Sequence, residues 1–325
     1  MMIPSTVMQS YDHAVFFTAF NLTKAFTAPI QRDSLLYWPF LVSSTAIALA
    51  ALSCRKIPPD PGRFGKALWW HRSAKADYRL YFVNALLFPA LFGFLLFNQY
   101  DFVAWLNRLL GFSGHSAQSA SLWWKLAYTL LFFVAYDFGR FVAHSMLHDI
   151  PALWEFHKVH HSAEVLTPIT AYRAHPVDLL IMAWGGTTAV GLVSWAINHL
   201  AGSVVNAYLF LGLHVLIWAS NLIGNLRHAP VWLTYGPVLG KWLVSPAHHQ
   251  LHHSREARHL GCNRGFDLAI WDRFYGTLYV PEGKEEAFSI GLDDGTTDQW
   301  QTVRSMLFRP FKGAARILFG FKAQR

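Results

Sequence analysis

The sequence has little charge and very little cysteine. Only 14% of its 325 residues are charged, against about 25% in a typical soluble domain, whereas 53% are hydrophobic. This composition argues against a water-soluble protein. The two cysteines, Cys54 and Cys262, are too few for a disulfide framework and lack the Cys-x2-Cys spacing of a zinc or redox site. Because Rossmann, haem-attachment and iron–sulfur motifs are also absent from the sequence, a redox reaction here needs an external electron donor.

Long apolar runs are abundant instead. A membrane-crossing helix needs about 20 predominantly apolar residues, and five segments approach this length: 35–54, 80–97, 122–147, 179–197 and 203–223. Only the five residues "NHLAG" separate the last two, which predicts a helical hairpin. Residues 101–112 are typical of a short amphipathic surface helix. We therefore expect an all-α integral membrane protein with about four to five transmembrane helices.

The net charge of +8 lies in short loops beside these apolar runs, which favours membrane orientation over nucleic-acid binding. Seven basic residues separate the first two predicted spans, whereas the loop 98–121 contains only Arg108. By the positive-inside rule, the basic loop faces the cytosol. Counting onward places residues 148–178 and 224–325 in the cytosol too, at the inner membrane of a bacterium or the endoplasmic reticulum of a eukaryote.

The 17 histidines are unevenly spaced. Two of them, His144 and His148, lie four residues apart, so they share a helix face at the end of the third predicted span. The pattern His-x2-His-His then occurs twice, at His157, His160 and His161 and at His249, His252 and His253. All three boxes are predicted on one side of the membrane. Neutral imidazole binds iron, zinc, copper and nickel, so the boxes predict a site for two metal ions, which His228 and His248 could extend.

The remaining histidines are isolated. Ordinary core or interfacial positions are predicted for His13, His71, His115, His199 and His259. His214 falls in the fifth predicted span, where it could bond a neighbouring helix or serve a function.

Together the boxes resemble those of the fatty acid hydroxylase/sterol desaturase superfamily. The resemblance covers about 122–281 and rests on "DFGRFVAHSMLH", "LWEFHKVHHS" and "SPAHHQLHHS", with "AHPVD" and "GFDLAIWDRFYGTLYVP" as further elements. It implies a four-helix membrane scaffold under a cytosolic helical cap, with a diiron centre that uses dioxygen. The implied ligands are the eight box histidines: His144, His148, His157, His160, His161, His249, His252 and His253.

One stretch departs from the family pattern. Members usually have another histidine before the last box, with Asn or Glu two residues later. Here the matching stretch "WASN" has Ala219 in place of that histidine and Asn221 two residues later. The nearest substitute ligand is His228. The residues expected around the ligands are Asp137, His175, Asn221 and His248. Asp137 shares the helix stripe of His144 and is expected to orient a ligand ring, or else to act as a cap or pair with Arg140.

These features predict a membrane enzyme that hydroxylates or desaturates a lipid C–H bond. Its electrons would come from a ferredoxin-like protein, a b-type cytochrome or a pterin. We divide the chain into an N-terminal region with two transmembrane helices (1–121), a catalytic domain (122–281) and a cytosolic tail (282–325) whose basic and aromatic residues suit an amphipathic helix on the membrane. The alternatives are a zinc-dependent lipid hydrolase, for which Glu155, two residues before His157, is the glutamate nearest to a box, and a non-catalytic metal-binding protein or transporter.

Overall fold

The computed structural model describes residues 22–54, 64–112 and 120–320. Arg55, Lys56 and Arg63 of the basic loop lie outside this part of the chain. The described chain is mostly helical, with one two-stranded antiparallel hairpin. Its α-helices are α1 (Leu22–Thr27), α2 (Trp38–Cys54), α3 (Lys66–Trp69), α4 (Arg72–Phe92), α5 (Gln99–Leu110), α6 (Leu122–Asp149), α7 (Pro151–His161), α8 (Pro176–Ala201), α9 (Val215–Gly224), α10 (Gly236–Leu239), α11 (Pro246–His252), α12 (Ile270–Tyr275) and α13 (Val303–Phe319). The strands are β1 (Leu209–Phe210) and β2 (Leu213–His214).

Three helical segments of the described chain are long and apolar enough to cross a bilayer: Arg72–Leu110, Leu122–Asp149 and Pro176–Ala201. The first joins α4 to α5 through a 3-10 turn at Gly93–Leu95. This result confirms the all-α membrane class and the third and fourth predicted spans. The second span begins earlier than predicted, at Arg72. Helix α2 has 17 residues, which is about 25 Å and short of a hydrocarbon core of about 30 Å.

The segment 203–223 is not the single membrane-crossing helix that was predicted for the fifth span. After α8 the chain turns at Gly202, forms the β1–β2 hairpin and enters α9, which has only 10 residues. Two consecutive residues in the hairpin turn, Leu211 and Gly212, have φ values of 50° and 81°, which no α-helix accommodates. Helix α9 instead packs beside α2, where Ser43 Oγ donates to the carbonyl oxygen of Leu222 at 2.6 Å.

Helices α6 and α8 form the central pair, and small residues set their separation. A Cβ atom added to Gly139 would lie 2.2 Å from the carbonyl oxygen of Gly185, and one added to Gly185 would lie 2.4 Å from that of Gly139. Ala143 and Ala189 belong to the same line of contact between α6 and α8, which we call the seam. Small residues four apart allow such close backbone approach in membrane helices. The seam ends beside His144 and therefore fixes where α6 presents its histidines.

A polar cap covers one end of these helices, and Arg173 lies at its centre. This side chain is fully buried and pairs with Asp77 of α4 at 2.6 Å. It also donates to the carbonyl oxygens of Val159 (2.8 Å) on α7 and Trp300 (3.1 Å) before α13. A buried guanidinium is tolerated only when its donors are satisfied. Arg173 thus joins the N-terminal region, the second histidine box and the tail.

Candidate metal centre

Five histidines from three helices meet in the first group. The ligand-capable nitrogens of this five-histidine group lie within 4.8 Å of one another. Helix α6 supplies two of the residues from its last turns, α7 supplies two and α11 supplies one. The members are His144, His148, His157, His161 and His252.

Four further histidines form a second group next to the first. Their nitrogens also lie within 4.8 Å of one another, and all four side chains are buried. The members of this four-histidine group are His160, His228, His249 and His253. His228 ends the 3-10 turn Asn225–His228, and its Nε2 lies 3.0 Å from that of His249. The structure therefore brings all nine predicted ligands into two groups, including the substitute residue His228.

Helical spacing explains how the two His-x2-His-His boxes divide. Residues four apart share one face of a helix, whereas the residue between them points to the side. On α7, His157 and His161 face the five-histidine group, while His160 faces the four-histidine group. The third box has the opposite arrangement, with His252 pointing to the five-histidine group. Each of the two His-x2-His-His boxes thus contributes to both groups, so the two groups lie side by side.

Hydrogen bonds donated by Nδ1 fix several of these rings. His157 Nδ1 donates to Asp178 Oδ2 at 2.7 Å, and both side chains are buried. Backbone carbonyl oxygens accept from three others: Arg264 O from His144 (2.7 Å), Arg173 O from His160 (3.1 Å) and Cys262 O from His252 (2.6 Å). A carbonyl oxygen only accepts, so Nδ1 carries the proton and Nε2 carries a free lone pair in each neutral ring.

The resulting arrangement suits cations. His144 Nε2 lies 3.0 Å from His157 Nε2, so two lone pairs face each other and repel unless a cation lies between them. Burial lowers the pKa of His160 to about 4 and that of His252 to about 3. Burial also lowers the pKa values of His161, His228, His249 and His253 well below the ordinary value. These rings are neutral at pH 7, which is the metal-binding form.

Unpartnered nitrogens point to the same interpretation. Among the described residues, no group hydrogen-bonds to the buried Nε2 of His161 or to the buried Nδ1 of His249 or His253. A buried polar atom without a partner costs about 1–3 kcal/mol. A metal ion coordinated by His161 Nε2 would remove that cost. The donor set and its burial therefore fit metal binding.

None of the four residues expected around the ligands hydrogen-bonds to a histidine ring of the two groups in the described chain. Asp137 accepts hydrogen bonds from the N–H groups of Asp267 (2.9 Å), Leu268 (3.0 Å) and Trp271 (Nε1, 2.9 Å), so it holds the loop before α12 rather than a ligand ring. His175 caps α8, because its Nδ1 accepts from Val177 N and its Nε2 donates to Leu307 O.

His248 is bonded in a similar way. Its Nδ1 lies 2.7 Å from Ser245 Oγ and its Nε2 donates to Gly240 O at 3.0 Å, which secures the start of α11. Asn221 lies half-buried on α9, and no described hydrogen bond joins it to a histidine. The orienting groups are instead Asp178 and three backbone carbonyls. Asp178 stands in the first turn of α8, where an acidic residue was visible in "AHPVD", whereas the carbonyls have no sequence signal.

The isolated histidines have other partners. His71 caps α4, His199 bonds Trp195 O within α8, and His259 bonds Ser254 Oγ. His214 belongs to β2, where its Nε2 donates to Thr129 O at 3.0 Å and its ring stacks on Phe132. His13 and His115 lie outside the described residues.

Neither histidine group contains a carboxylate among the described residues. Glu155 lies two residues before His157, yet its Oε1 accepts from Lys158 Nζ at 2.7 Å. Its other oxygen lies over Gly313 of α13. Glu155 therefore belongs to the contact between α7 and α13. The general base that a zinc hydrolase needs beside its metal is not provided by this residue.

The fold and this site define a helical membrane protein with two adjoining all-histidine groups. The sequence model of the fatty acid hydroxylase family matches residues 129–277, which include every one of the nine histidines. The predicted catalytic segment 122–281 encloses this match. Residues 129–277 therefore match the fatty acid hydroxylase family, in agreement with the resemblance to the fatty acid hydroxylase/sterol desaturase superfamily that the boxes carry.

Curated relatives carry several lipid-related names. The chain is 31% identical to the ornithine lipid hydroxylase OlsE of Rhizobium tropici, over 52% of this chain and 47% of that protein. It is 28% identical to the alkylglycerol monooxygenase of Xenopus tropicalis (55% and 35%) and 30% identical to the Delta(7)-sterol 5(6)-desaturase ERG3B of Gibberella zeae (54% and 50%). The chain thus spans about a third to a half of the relatives it matches. No solved structure matches.

Proposed function

We propose that this protein is a membrane-bound non-haem diiron oxygenase that hydroxylates, or desaturates, a lipid C–H bond with dioxygen. The supporting observation is the pair of adjoining groups of five and four histidines, built from three boxes and His228. Each group offers enough imidazoles for one metal ion. Nine neutral donors leave the positive charge of the ions unbalanced, which suits binding and activation of dioxygen.

Iron is proposed because imidazole suits iron and because the relatives are named hydroxylase, monooxygenase and desaturase. When bound, the two irons would supply the oxidising power for attack on an unactivated C–H bond. The protein's part is to hold and orient the rings and to exclude water. Asp178 and the carbonyl oxygens of Arg173, Cys262 and Arg264 fix ring orientation. The electrons for the reaction would come from a separate donor, either a ferredoxin-like protein, a b-type cytochrome or a pterin.

The substrate is proposed to be a lipid of the surrounding bilayer. His144 and His148 lie at the end of the long apolar helix α6, so the groups lie near the level where lipid head groups begin. By the positive-inside rule this end faces the cytosol. The relatives are named for an ornithine lipid, an alkylglycerol and a sterol, which indicates that the shared domain serves chemically different lipids. Hydroxylation is favoured because it is the simpler outcome.

Two other functions compete with this proposal. A zinc-dependent lipid hydrolase needs a carboxylate base near the metal, and the position of Glu155 against Lys158 and α13 counts against it. A metal transporter needs ionisable residues near the middle of its spans. Here the histidines gather at helix ends and in the cap.

The experiment is product analysis under isotopically labelled dioxygen. The full chain would be expressed in a host membrane beside a variant with His252→Ala and His253→Ala, one residue from each group. The proposal predicts lipids that carry one labelled oxygen, or one additional double bond, with the unchanged chain and with a matched control but not with the double histidine variant. Matched control cells would carry Asp101→Asn, an exposed change in α5. Lipid cleavage products without labelled oxygen would instead support a hydrolase.

A further inference from the structure

Helix α13 has three distinct faces. Met306, Pro310 and Ala314 recur every four residues and are buried against the protein. A second face is apolar but open: Phe308, Phe311, Leu318 and Phe319 are 51–71% exposed. The third face is basic, with Arg309, Lys312 and Arg316 spaced three and four residues apart. A helix with open apolar and basic faces side by side is unusual on a surface that meets only water.

The charge on this helix has one sign. Its 17 residues include four basic side chains and no acidic one. A depression of about 450 Å³ beside the helix is lined by Lys158, Lys312 and Arg316 and by the carboxylates of Glu155 and Asp294. Both carboxylates pair with Lys158, at 2.7 Å and 3.2 Å. Lys312 and Arg316 form no ion pair with any described residue, so their charge is available to an anion.

The packing of α13 against α4 indicates where this helix lies relative to the bilayer. Met306 packs with Ala76 and Leu80, in the first turns of α4, and with Trp300. Those turns begin the Arg72–Leu110 segment, which is long and apolar enough to cross the bilayer. Helix α13 therefore lies at the level where a membrane span enters the bilayer, at the same end as the histidine groups.

We propose that α13 is an interfacial helix that binds the anionic phospholipid surface of the leaflet on the histidine side. The phenylalanine face enters the boundary between head groups and acyl chains, and the basic face contacts lipid phosphates. A phospholipid bilayer fits both open faces at once, because it offers apolar chains and anionic oxygens within a few ångströms of each other. This inference rests on the membrane class of the chain and does not depend on the reaction.

Contacts link this helix to the metal groups. Phe311 packs on Phe156 (ring centroids 5.2 Å apart) next to His157, and Leu307 O accepts from His175 at the start of α8. Gly313 lets α13 approach Glu155 of α7 so closely that an added Cβ atom would lie 2.0 Å from Glu155 Oε2. Binding of α13 to lipid would therefore hold α7, and with it the second histidine box, at a fixed height above the membrane.

The test measures the depth of α13 in vesicles. The exposed Cys54 is replaced by Ala, Phe308→Cys is labelled with a bimane fluorophore, and the buried Cys262 is kept. The full chain is reconstituted in phosphatidylcholine alone or mixed with phosphatidylglycerol, with brominated acyl chains as quencher. The basic face is neutralised by Arg309→Gln, Lys312→Gln and Arg316→Gln. The matched control removes the same charge elsewhere through Arg255→Gln, Arg258→Gln and Lys284→Gln.

Acyl-chain quenching of the label is expected in both lipids, with stronger quenching when phosphatidylglycerol is present. Neutralising the basic face should abolish most of that increase, whereas the matched control should keep it. A label that brominated lipid does not quench would overturn the proposal, because α13 would then face water or another protein. Equal quenching in both lipids, or equal loss in the control, would overturn the role of anionic lipid. Monodisperse elution of each variant shows that the fold is retained.

Discussion

Asp178 and His157 form the one hydrogen bond between a carboxylate and a histidine of the two groups in the described chain. The carboxylate keeps the proton on Nδ1 and leaves Nε2 free for a metal. We predict that Asp178→Ala lowers metal affinity about 10–100-fold, in line with the usual cost of losing such a partner. Asp178→Asn should lose less, because an amide oxygen can still accept. Metal titration of the purified protein measures both, and unchanged affinity in Asp178→Ala would contradict this role.

For Asp137 we expect that substitution lowers the stability of the fold and leaves metal binding unchanged. Asp137 accepts hydrogen bonds from two backbone N–H groups of the loop before α12 and from the indole N–H of Trp271 in α12, and it hydrogen-bonds to no histidine. Asp137→Ala leaves those donors unpaired, which should lower the free energy of unfolding by about 3 kcal/mol or more. Thermal unfolding in detergent checks the loss. The folded fraction should retain its metal; if the variant keeps its stability but loses metal, Asp137 orients a ligand after all.

The nine histidines were predictable because imidazoles at helical spacing are a signal carried by the sequence itself. His228 followed from the absence of a histidine at Ala219 and from proximity along the chain. The orienting groups were not predictable, because backbone carbonyls such as Arg264 O look alike at every residue. Asp137 was misjudged because a shared helix stripe fixes only one direction, while its partners lie about 130 residues away.

At the scale of elements, the seam between α6 and α8 positions the first box. Gly139 and Gly185 allow the two backbones to meet, and α6 continues directly to His144. We predict that Gly139→Ala forces the helices apart and lowers stability by about 1–3 kcal/mol or more. Gly93→Ala is the matched control, since an added Cβ atom there meets nothing within 4 Å. Thermal unfolding midpoints would be compared, and an equal effect of both changes would refute the seam.

The sequence predicts that a segment is helical more easily than it predicts whether that helix is continuous. The strongly apolar segments 122–147 and 179–197 lie within single helices, because neither contains a proline or a residue with positive φ. The segment 203–223 is equally apolar, yet its turn at Leu211 and Gly212 breaks it. The composition of a segment indicates only how well it suits a lipid environment. A turn depends instead on single backbone angles and on distant partners, such as the carbonyl oxygen of Thr129, which accepts a hydrogen bond from His214 Nε2.

At the scale of the whole molecule, the cap is assembled from distant parts of the chain. Arg173 joins Asp77 of α4 to Val159 of α7 and Trp300 before α13, across more than 200 residues. Such contacts have no local sequence signal, and the sequence therefore divided the tail 282–325 from the catalytic domain 122–281. The division into three domains stays a prediction, although the first and last parts pack around the second box.

The central claim is that the two histidine groups hold one metal ion each. It is tested most directly by counting iron per chain after anaerobic purification. The count is made for the unchanged protein, for His161→Ala with His252→Ala, and for His249→Ala with His253→Ala. We predict about two irons, then about one in each double variant, with two retained in the control His199→Ala. Stoichiometric zinc despite iron-replete growth, no metal at all, or full iron in either double variant would contradict the account.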